Sequence, residues 1–284
     1  MTPTKATPLE DVTHLSQENF ARLARFITSE LGIKMPDCKL SMVQSRLLRR
    51  VRELGFNSVE QYGEYFLNSG DLEDERTHLI DAITTNKTDF FREPIHFEYL
   101  VEKVLPQLRS GCRKAWSAGC SSGEEPYTLA MVLSDYGRRN PGFDFSILAT
   151  DISTRVLERA KAGIYEEGLA APVPAGLRPR YLLRGKKDGQ NLVRVIPELR
   201  RKVSFHRLNF MDASYAIRDQ FDFVFFRNVM IYFDRPTQEA VINKICRNLA
   251  PGGYLFVGHS ESLTGMDIPV TPVQSAIYRK GGGR

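Results

Sequence analysis

At 284 residues the chain exceeds one typical domain and is long enough to bury a sizeable core, so two domains, or one domain with an appendage, are expected. The net charge of +5 does not demand a nucleic-acid partner, no apolar run approaches the roughly 18 residues of a membrane span, and the polar amino terminus lacks the apolar region of a signal peptide. Cys38, Cys112, Cys120 and Cys246 show no C-x-x-C spacing and the five histidines no H-x-x-x-H pairing, so a cytoplasmic protein with reduced thiols and no metal is the default expectation.

Residues 1–12 read as a disordered tail, and 13–84 as a small domain that is helical throughout. Ser16 caps a helix running to Glu30, Lys39 to Leu54 forms a second one ended by Gly55, and Ser58–Asn68 and Glu73–Ile83 supply a third and fourth. In the second helix Leu40, Val43, Leu47, Val51 and Leu54 make one apolar stripe, flanked by Lys39, Arg46 and Arg50, with Arg49 and Arg52 pointing away. From Lys34 to Glu53 six basic residues face two acidic ones. Such charge usually marks a solvated surface, and its density also suits docking on an acidic protein or on phosphates.

Residues 85–112 read as a linker and junction helix. Within it and just before it, Thr84-Thr85-Asn86-Lys87-Thr88-Asp89-Phe90-Phe91-Arg92-Glu93 is polar, then abruptly aromatic, then charged. The segment either folds over a ligand, with Arg92 held by stacked rings, or simply staples two domains together through Phe90 and Phe91. From Arg113 onward strands are predicted at 114–118, 145–150, 203–207, 222–226 and 253–258, alternating with helices at 126–139, 153–161 and 236–250. That rhythm predicts an α/β fold, a parallel sheet covered on both faces over 113–284. Val273–Arg279 reads as a final antiparallel strand. Within 165–200 the rhythm breaks, and Tyr181–Arg184 and Leu192–Val195 around Asp188-Gly189 read as an inserted hairpin.

The most telling run is Trp116-Ser117-Ala118-Gly119-Cys120-Ser121-Ser122-Gly123-Glu124-Glu125-Pro126. A short buried strand, two glycines for a tight turn and a helix with Pro126 in its first turn make a nucleotide-binding turn, or else an ordinary strand and capped helix. Asp151 ends the second strand, where a carboxylate takes ribose hydroxyls. The spacing is Gly-x-x-x-Gly and not the Gly-x-Gly-x-x-Gly that presents amides to a diphosphate. Glu124 and Glu125 at the helix mouth would repel phosphates and suit an ammonium group, so S-adenosylmethionine fits better than NAD or ATP. Arg227, Asn228 and Tyr232 fall where the apolar run from Phe223 should end, at the carboxyl tips that line a ligand crevice. Amino-group methylases commonly show an acid or amide followed by Pro-Pro and an aromatic here, and the run Phe223–Phe233 has no prolines, which argues against adenine or glutamine as acceptor. Asn209 lies where it could reach an adenine edge. Gly258-His259-Ser260-Glu261-Ser262 lacks the second glycine of a hydrolase elbow and reads as a strand end.

With these residues the chain resembles the chemotaxis receptor methyltransferases of the CheR type over nearly its whole length. The likeness is carried by the helical domain, Thr-Thr-Asn-x-Thr-x-Phe-Phe-Arg-Glu, Ser-x-Gly-Glu-Glu-Pro-Tyr, a strand ending in Asp-Ile, and Arg-Asn-Val-Met-Ile-Tyr-Phe. The resemblance implies a class I S-adenosylmethionine-dependent methyltransferase domain, Rossmann-like, with an inserted small antiparallel β-subdomain and an N-terminal all-α domain. It implies methylation of glutamate side chains on the cytoplasmic coiled coil of chemoreceptors, with S-adenosylhomocysteine as the other product. Cofactor contacts are implied from Asn86, Thr88, Arg92, Glu125, Asp151, Asn209, Phe210, Arg227 and Asn228, with Arg92 and Tyr232 nearest the transferred methyl. Phe210 departs from the leucine expected there, which makes that contact backbone or apolar. Lys39, Arg46, Arg49 and Arg50 become receptor-docking residues. A receptor C-terminal tail peptide adds to the β-subdomain edge in some members, and a regulatory protein is a further partner left open; membrane insertion and nucleic acid are not expected. Two other classes remain as alternatives, a nucleic-acid methylase using Lys39, Arg46 and Arg50 on phosphates, and a cofactor-sensing adaptor without turnover.

Overall fold

The structure, a computed structural model, describes residues 12–69, 72–108 and 111–282. The tail expected at 1–12 lies outside them except for its last residue. The chain divides into two compact units, one running to Thr85 and taking in Tyr232–Asp234, the other holding Asn86–Ile231 and the residues from Arg235 onward.

The first unit is built from α1 (Gln17–Leu31), α2 (Leu40–Leu54), α3 (Val59–Asn68) and α4 (Glu73–Ile83). Ser16 Oγ accepts the Asn19 N–H and Ser58 Oγ the Gln61 N–H, each cap being worth about 1 kcal/mol. Gly32 and Gly55 end α1 and α2 in the left-handed conformation that releases the chain from the helix. Phe20, Leu23, Ile27, Val43, Leu47, Val51, Tyr62, Leu79 and Ile83 fill the core. The apolar stripe of α2 stops one turn short, because Leu54 at the helix end is 40% exposed.

The basic flank of α2 is largely spent inside this unit. Arg50, its side chain 18% exposed, forks onto Glu75, which also accepts the Tyr62 hydroxyl at 2.8 Å. Burial works against the Glu75 carboxylate, yet the Arg50 and Tyr62 hydrogen bonds bring its pKa below the usual range. Arg46 donates to the Ile83 carbonyl and to Thr85 Oγ1, and Lys39 Nζ to the Lys34 carbonyl. Arg49 pairs with Glu53 one turn on and is 77% exposed.

The second unit opens with α5 (Ile95–Tyr99), which widens into a π turn over Leu100–Val104. There follow β1 (Gly111–Ala118), α6 (Glu124–Arg139), β2 (Phe143–Asp151) and α7 (Thr154–Ala162). An insertion holds β3 (Ile164–Glu166), α8 (Arg178–Tyr181), β4 (Leu182–Lys187) and β5 (Gln190–Val195). The chain then returns through α9 (Pro197–Arg200), β6 (Val203–Arg207), β7 (Phe221–Phe226), α10 (Arg235–Arg247), β8 (Leu249–Val257), β9 (Val270–Gln274) and β10 (Ile277–Lys280).

The main sheet has the order β6-β2-β1-β7-β8-β10-β9, with β6, β2, β1, β7 and β8 mutually parallel. The carboxyl halves of β1, β7 and β8 are continuously buried, as a doubly covered parallel sheet requires, and α6 and α7 pack against β2 while α10 packs against β8. Phe225 and Phe256 stack with ring centroids 4.3 Å apart. Burying each such ring contributes about 1.5–3 kcal/mol before chain entropy. Chain order runs outward in opposite senses from β1 and from β7, and at such a switch point in a parallel sheet a ligand crevice lies beyond the carboxyl ends of the strands.

Two elements differ from the sequence reading. The final strand expected over 273–279 is instead a hairpin, β9 and β10, whose turn puts Ala276 at φ 60°; β10 pairs antiparallel with β8. No Gly or Asn announces that turn. The inserted hairpin gains a third strand, since β3 pairs with β5 to give the order β3-β5-β4.

Candidate active site

The site is assembled from the carboxyl ends of β1, β2 and β7 and the segment Asn86–Glu93. Beyond β1 the chain turns through Gly119 at φ 83° and Gly123 at φ 97° before α6 begins. Gly119 permits close packing, because a Cβ there would lie 2.5 Å from Val229 Cγ2, and 3.9 Å from the buried Phe210 ring. The ends of β1, β6 and β7 thereby converge on one backbone turn. A Cβ on Gly123 would lie 2.9 Å from both Ala160 Cβ and the Tyr165 hydroxyl oxygen. Gly123→Ala is expected to destabilise the unit by about 2 kcal/mol or more, from positive φ and overpacking together. Urea unfolding checks this, and an unchanged midpoint would remove the close-packing account.

Asp151, at the end of β2, is buried and holds this turn directly. Its Oδ2 accepts the Ser121 N–H at 2.8 Å and its Oδ1 the Ser153 N–H at 3.0 Å. Ser121, itself at φ 47°, donates through Oγ to the Asn86 carbonyl at 2.9 Å, which ties the turn to the polar segment. The Phe91 N–H donates to Thr128 Oγ1, whose own hydroxyl donates to the Glu124 carbonyl. Tyr165, from β3 of the insertion, donates its hydroxyl to the Ser122 carbonyl at 2.8 Å. Among the described residues six non-glycine residues have positive φ, and four of them, Phe91, Glu93, Ser121 and Asn228, belong to these segments. Such strain is kept only where the surrounding contacts over-determine it, as they do at ligand sites.

Arg227 is the electrostatic centre. Its side chain is 2% exposed and donates to Glu93 Oε2 at 3.0 Å, to Glu125 Oε2 at 3.1 Å and to the Arg92 carbonyl. The guanidinium also lies over the rings of Phe97 and Phe225. Glu125 receives the Ser117 hydroxyl at 2.7 Å. Two carboxylates therefore share one guanidinium. Burial opposes ionisation of Glu93, but the charge and hydrogen bonds of Arg227 bring its pKa below the usual range. Burial raises that of Glu125 despite Arg227 and Ser117, and the charge of Glu93 adds to the rise. Glu124 turns the other way, into the protein, where burial raises its pKa against the Ser122 hydroxyl that it accepts. The two adjacent acids thus have different tasks.

The remaining sequence-derived residues fall as follows. Asn228, at φ 59°, follows Arg227 and donates its N–H to Glu261 Oε2 at 2.8 Å. Asn209 Oδ1 accepts the Met211 N–H, and Phe210 packs edge-on against Phe226. Arg92 is half-buried and donates to the Lys87 carbonyl at 3.3 Å, and Thr88 is half-buried close by in sequence. Tyr232 belongs to the helical unit, where its carbonyl accepts the Lys34 N–H at 2.9 Å. Lys39, Arg46, Arg49 and Arg50 sit in that same unit, with the partners given above.

Sequence reasoning passed over Glu93, His96, His259 and Glu261. Glu261 is buried and accepts the N–H groups of Gly258 and Asn228, so it pins the turn carrying Arg227 to the end of β8. His96 is fully buried, and burial followed by the charge of Arg227 pushes its pKa down to about 3. The available signal was an acid and a histidine directly after an apolar strand, together with the Glu-x-x-His spacing of Glu93 and His96.

Comparison with known proteins bears on the same segments. A model of the CheR methyltransferase SAM binding domain matches residues 86–279, and one of the CheR methyltransferase all-alpha domain matches residues 18–84. The chain is 43% identical to the chemotaxis protein methyltransferase of Klebsiella aerogenes over 253 residues, 88% of this chain and 85% of that one. It is 40% identical to the Escherichia coli chemotaxis protein methyltransferase over 267 residues, 93% and 91% of the two chains. Identity to the Borreliella burgdorferi chemotaxis protein methyltransferase is 38% over 276 residues, 94% and 95% of the two chains.

Proposed function

This chain belongs to the CheR methyltransferase family, and from that premise we propose that it methylates glutamate side chains on the cytoplasmic coiled coil of chemoreceptors. It is an S-adenosylmethionine-dependent chemotaxis methyltransferase. The products of the proposed reaction are a glutamyl 5-O-methyl ester and S-adenosylhomocysteine.

The observation that carries the reading is the charge at the strand tips. Arg227 cannot neutralise both Glu93 and Glu125, and Asp151 adds a further carboxylate. A site with that surplus attracts a cationic donor and repels a diphosphate. Asp151 would hold the ribose hydroxyls and Glu125 the methionine ammonium, whose arrival favours the ionised form of Glu125. Asn86, Thr88, Asn209, Phe210 and Asn228 complete the cofactor contacts in this reading.

The chemistry needs no proton removal. A free glutamate has a pKa near ~4.3, so the acceptor is already a carboxylate at neutral pH. One of its oxygens forms a bond to the sulfonium methyl while the carbon–sulfur bond breaks, and the electron pair returns to sulfur to give a neutral thioether. The protein has to strip water from the carboxylate and align it. Arg92 orients it by charge.

Receptor recognition is assigned to the basic face of α2 and to the insertion. With Arg50 committed to Glu75 and Arg46 to backbone and Thr85, Arg49 is the most exposed of the four basic docking residues and Lys39 the next candidate. The same commitments take Arg46 and Arg50 out of the free basic surface for a phosphate partner as much as for an acidic receptor. In the insertion β4 is an edge strand, to which an extended receptor tail would add. Among the described residues no helix is long and apolar enough to cross a membrane, and a cytoplasmic site of action follows from the proposed substrate.

Incubation with methyl-labelled S-adenosylmethionine and receptor cytoplasmic fragments tests the reading. Label is expected on the receptor and is expected to leave as methanol in mild alkali. Alkali-stable label, or label on RNA or DNA alone, would overturn the glutamate assignment.

A further inference from the structure

Glu93, His96 and His259 bring a carboxylate oxygen and two imidazole nitrogens within 4.8 Å of one another. Neither ring nitrogen of His96 has a hydrogen-bond partner, although the residue is fully buried. A buried histidine normally gives one nitrogen to a donor and the other to an acceptor, so two idle nitrogens leave a desolvation cost without return. His96 Nδ1 lies 3.6 Å from Glu93 Oε2, and its ring meets that of His259 nearly at right angles with centroids 4.7 Å apart. His259 is exposed and anchored by its backbone N–H to Glu93 Oε1 at 3.3 Å.

We propose that Glu93, His96 and His259 form a binding site for a borderline divalent cation such as Zn2+, whose occupation loosens the grip of Glu93 on Arg227. Two imidazoles and one carboxylate are a zinc donor set, and bonds of about 2.0–2.1 Å place tetrahedral donors roughly 3.4 Å apart. The Glu93–His96 separation is already close to that value, and the exposed His259 ring turns to close the remainder. Its exposure also gives the ion a path inward and leaves an open position for water. The ion is not needed for methyl transfer and acts against it. Glu93 Oε2 is the oxygen that receives Arg227 at 3.0 and 3.3 Å, and it cannot serve a dication and a guanidinium equally. This coupling rests on Arg227 belonging to the cofactor site proposed above, whereas metal binding does not.

The test is titration of the full chain with Zn2+ by calorimetry and with Co2+ by visible absorption. One ion per chain is expected, with the absorption bands of four- or five-coordinate Co2+. His259→Ala, an exposed change that spares the fold, is expected to weaken binding at least about ten-fold, while His206→Ala on the exposed end of β6 leaves it unchanged. With Zn2+ bound, affinity for S-adenosylhomocysteine is expected to fall several-fold, and in the His259 variant Zn2+ has no such effect. No saturable binding at millimolar metal, or equal binding by the His259 variant, overturns the site. Binding with unchanged S-adenosylhomocysteine affinity overturns the coupling. Neither result touches the glutamate reading, which depends on where the methyl label goes.

Discussion

Replacing Arg92 by alanine is expected to lower kcat for methyl transfer by about 10²–10³-fold, the cost of losing the charge proposed above to orient the acceptor carboxylate. The fold should not notice. Arg92 makes a 3.3 Å hydrogen bond to the Lys87 carbonyl, and among the described residues no carboxylate pairs with it. Its carbonyl, which receives Arg227, is backbone and survives the substitution. Stability is therefore expected to change by no more than about 0.5 kcal/mol, as for other partly exposed side chains without a buried partner. Arg92→Lys keeps the charge but not the planar fork and should recover only part of the rate. Turnover against receptor fragments, read beside a thermal melt, decides the matter. Near-normal turnover in the alanine variant would remove Arg92 from the mechanism.

Arg227→Leu should do the reverse and damage the fold itself. Removing one member of a buried ionic group leaves the others unpaired, at a cost of about 3–5 kcal/mol. Here two carboxylates are stranded, Glu93 and Glu125, together with the Arg92 carbonyl. The pH dependence has a definite sign. The pKa of Glu125 is raised by burial even with Arg227 present, and without it the rise grows. A carboxyl whose folded pKa is raised adds stability below its unfolded pKa of about 4.3 and loses it as pH climbs through the folded value. The deficit of the variant should therefore shrink as the pH is lowered from 7 toward 5. Adding Glu125→Gln to Arg227→Leu should return part of the loss at neutral pH, since neighbouring groups do not act additively. Urea unfolding of the wild type, both single variants and the double variant at two pH values checks this. A deficit that is flat with pH would mean that the stranded acids are not its source.

How much of this could be read beforehand depended on the range of the interactions. The run from Trp116 to Pro126 and the carboxylate of Asp151 were legible because strand, turn and helix are set by neighbouring residues, and the two glycines sit where φ is positive. The parallel strands were legible from apolar runs such as Phe223–Phe226. Partner choice across the sequence was not. Arg227 and Glu93 are 134 residues apart, and no local pattern says that a loop arginine will fork between Glu93 and Glu125. For the same reason the cationic flank of α2 looked available for docking, while the fold turns Arg50 onto Glu75. The hairpin at 270–280 escaped because its turn uses Ala276 in a conformation usually left to Gly or Asn. Glu261 escaped because its task is to accept backbone amides from two separate loops.

The phenol of Tyr165 gives the insertion a meaning beyond a place to dock. It comes from β3, yet it reaches the Ser122 carbonyl and lies beside Gly123, in the turn between β1 and α6. The appendage and the turn after β1 thus share a hydrogen bond, and the Tyr165 ring packs edge-on against Phe90 and Tyr127 as well. Cutting the appendage away would therefore strip both a hydrogen bond and aromatic packing from the turn that follows β1.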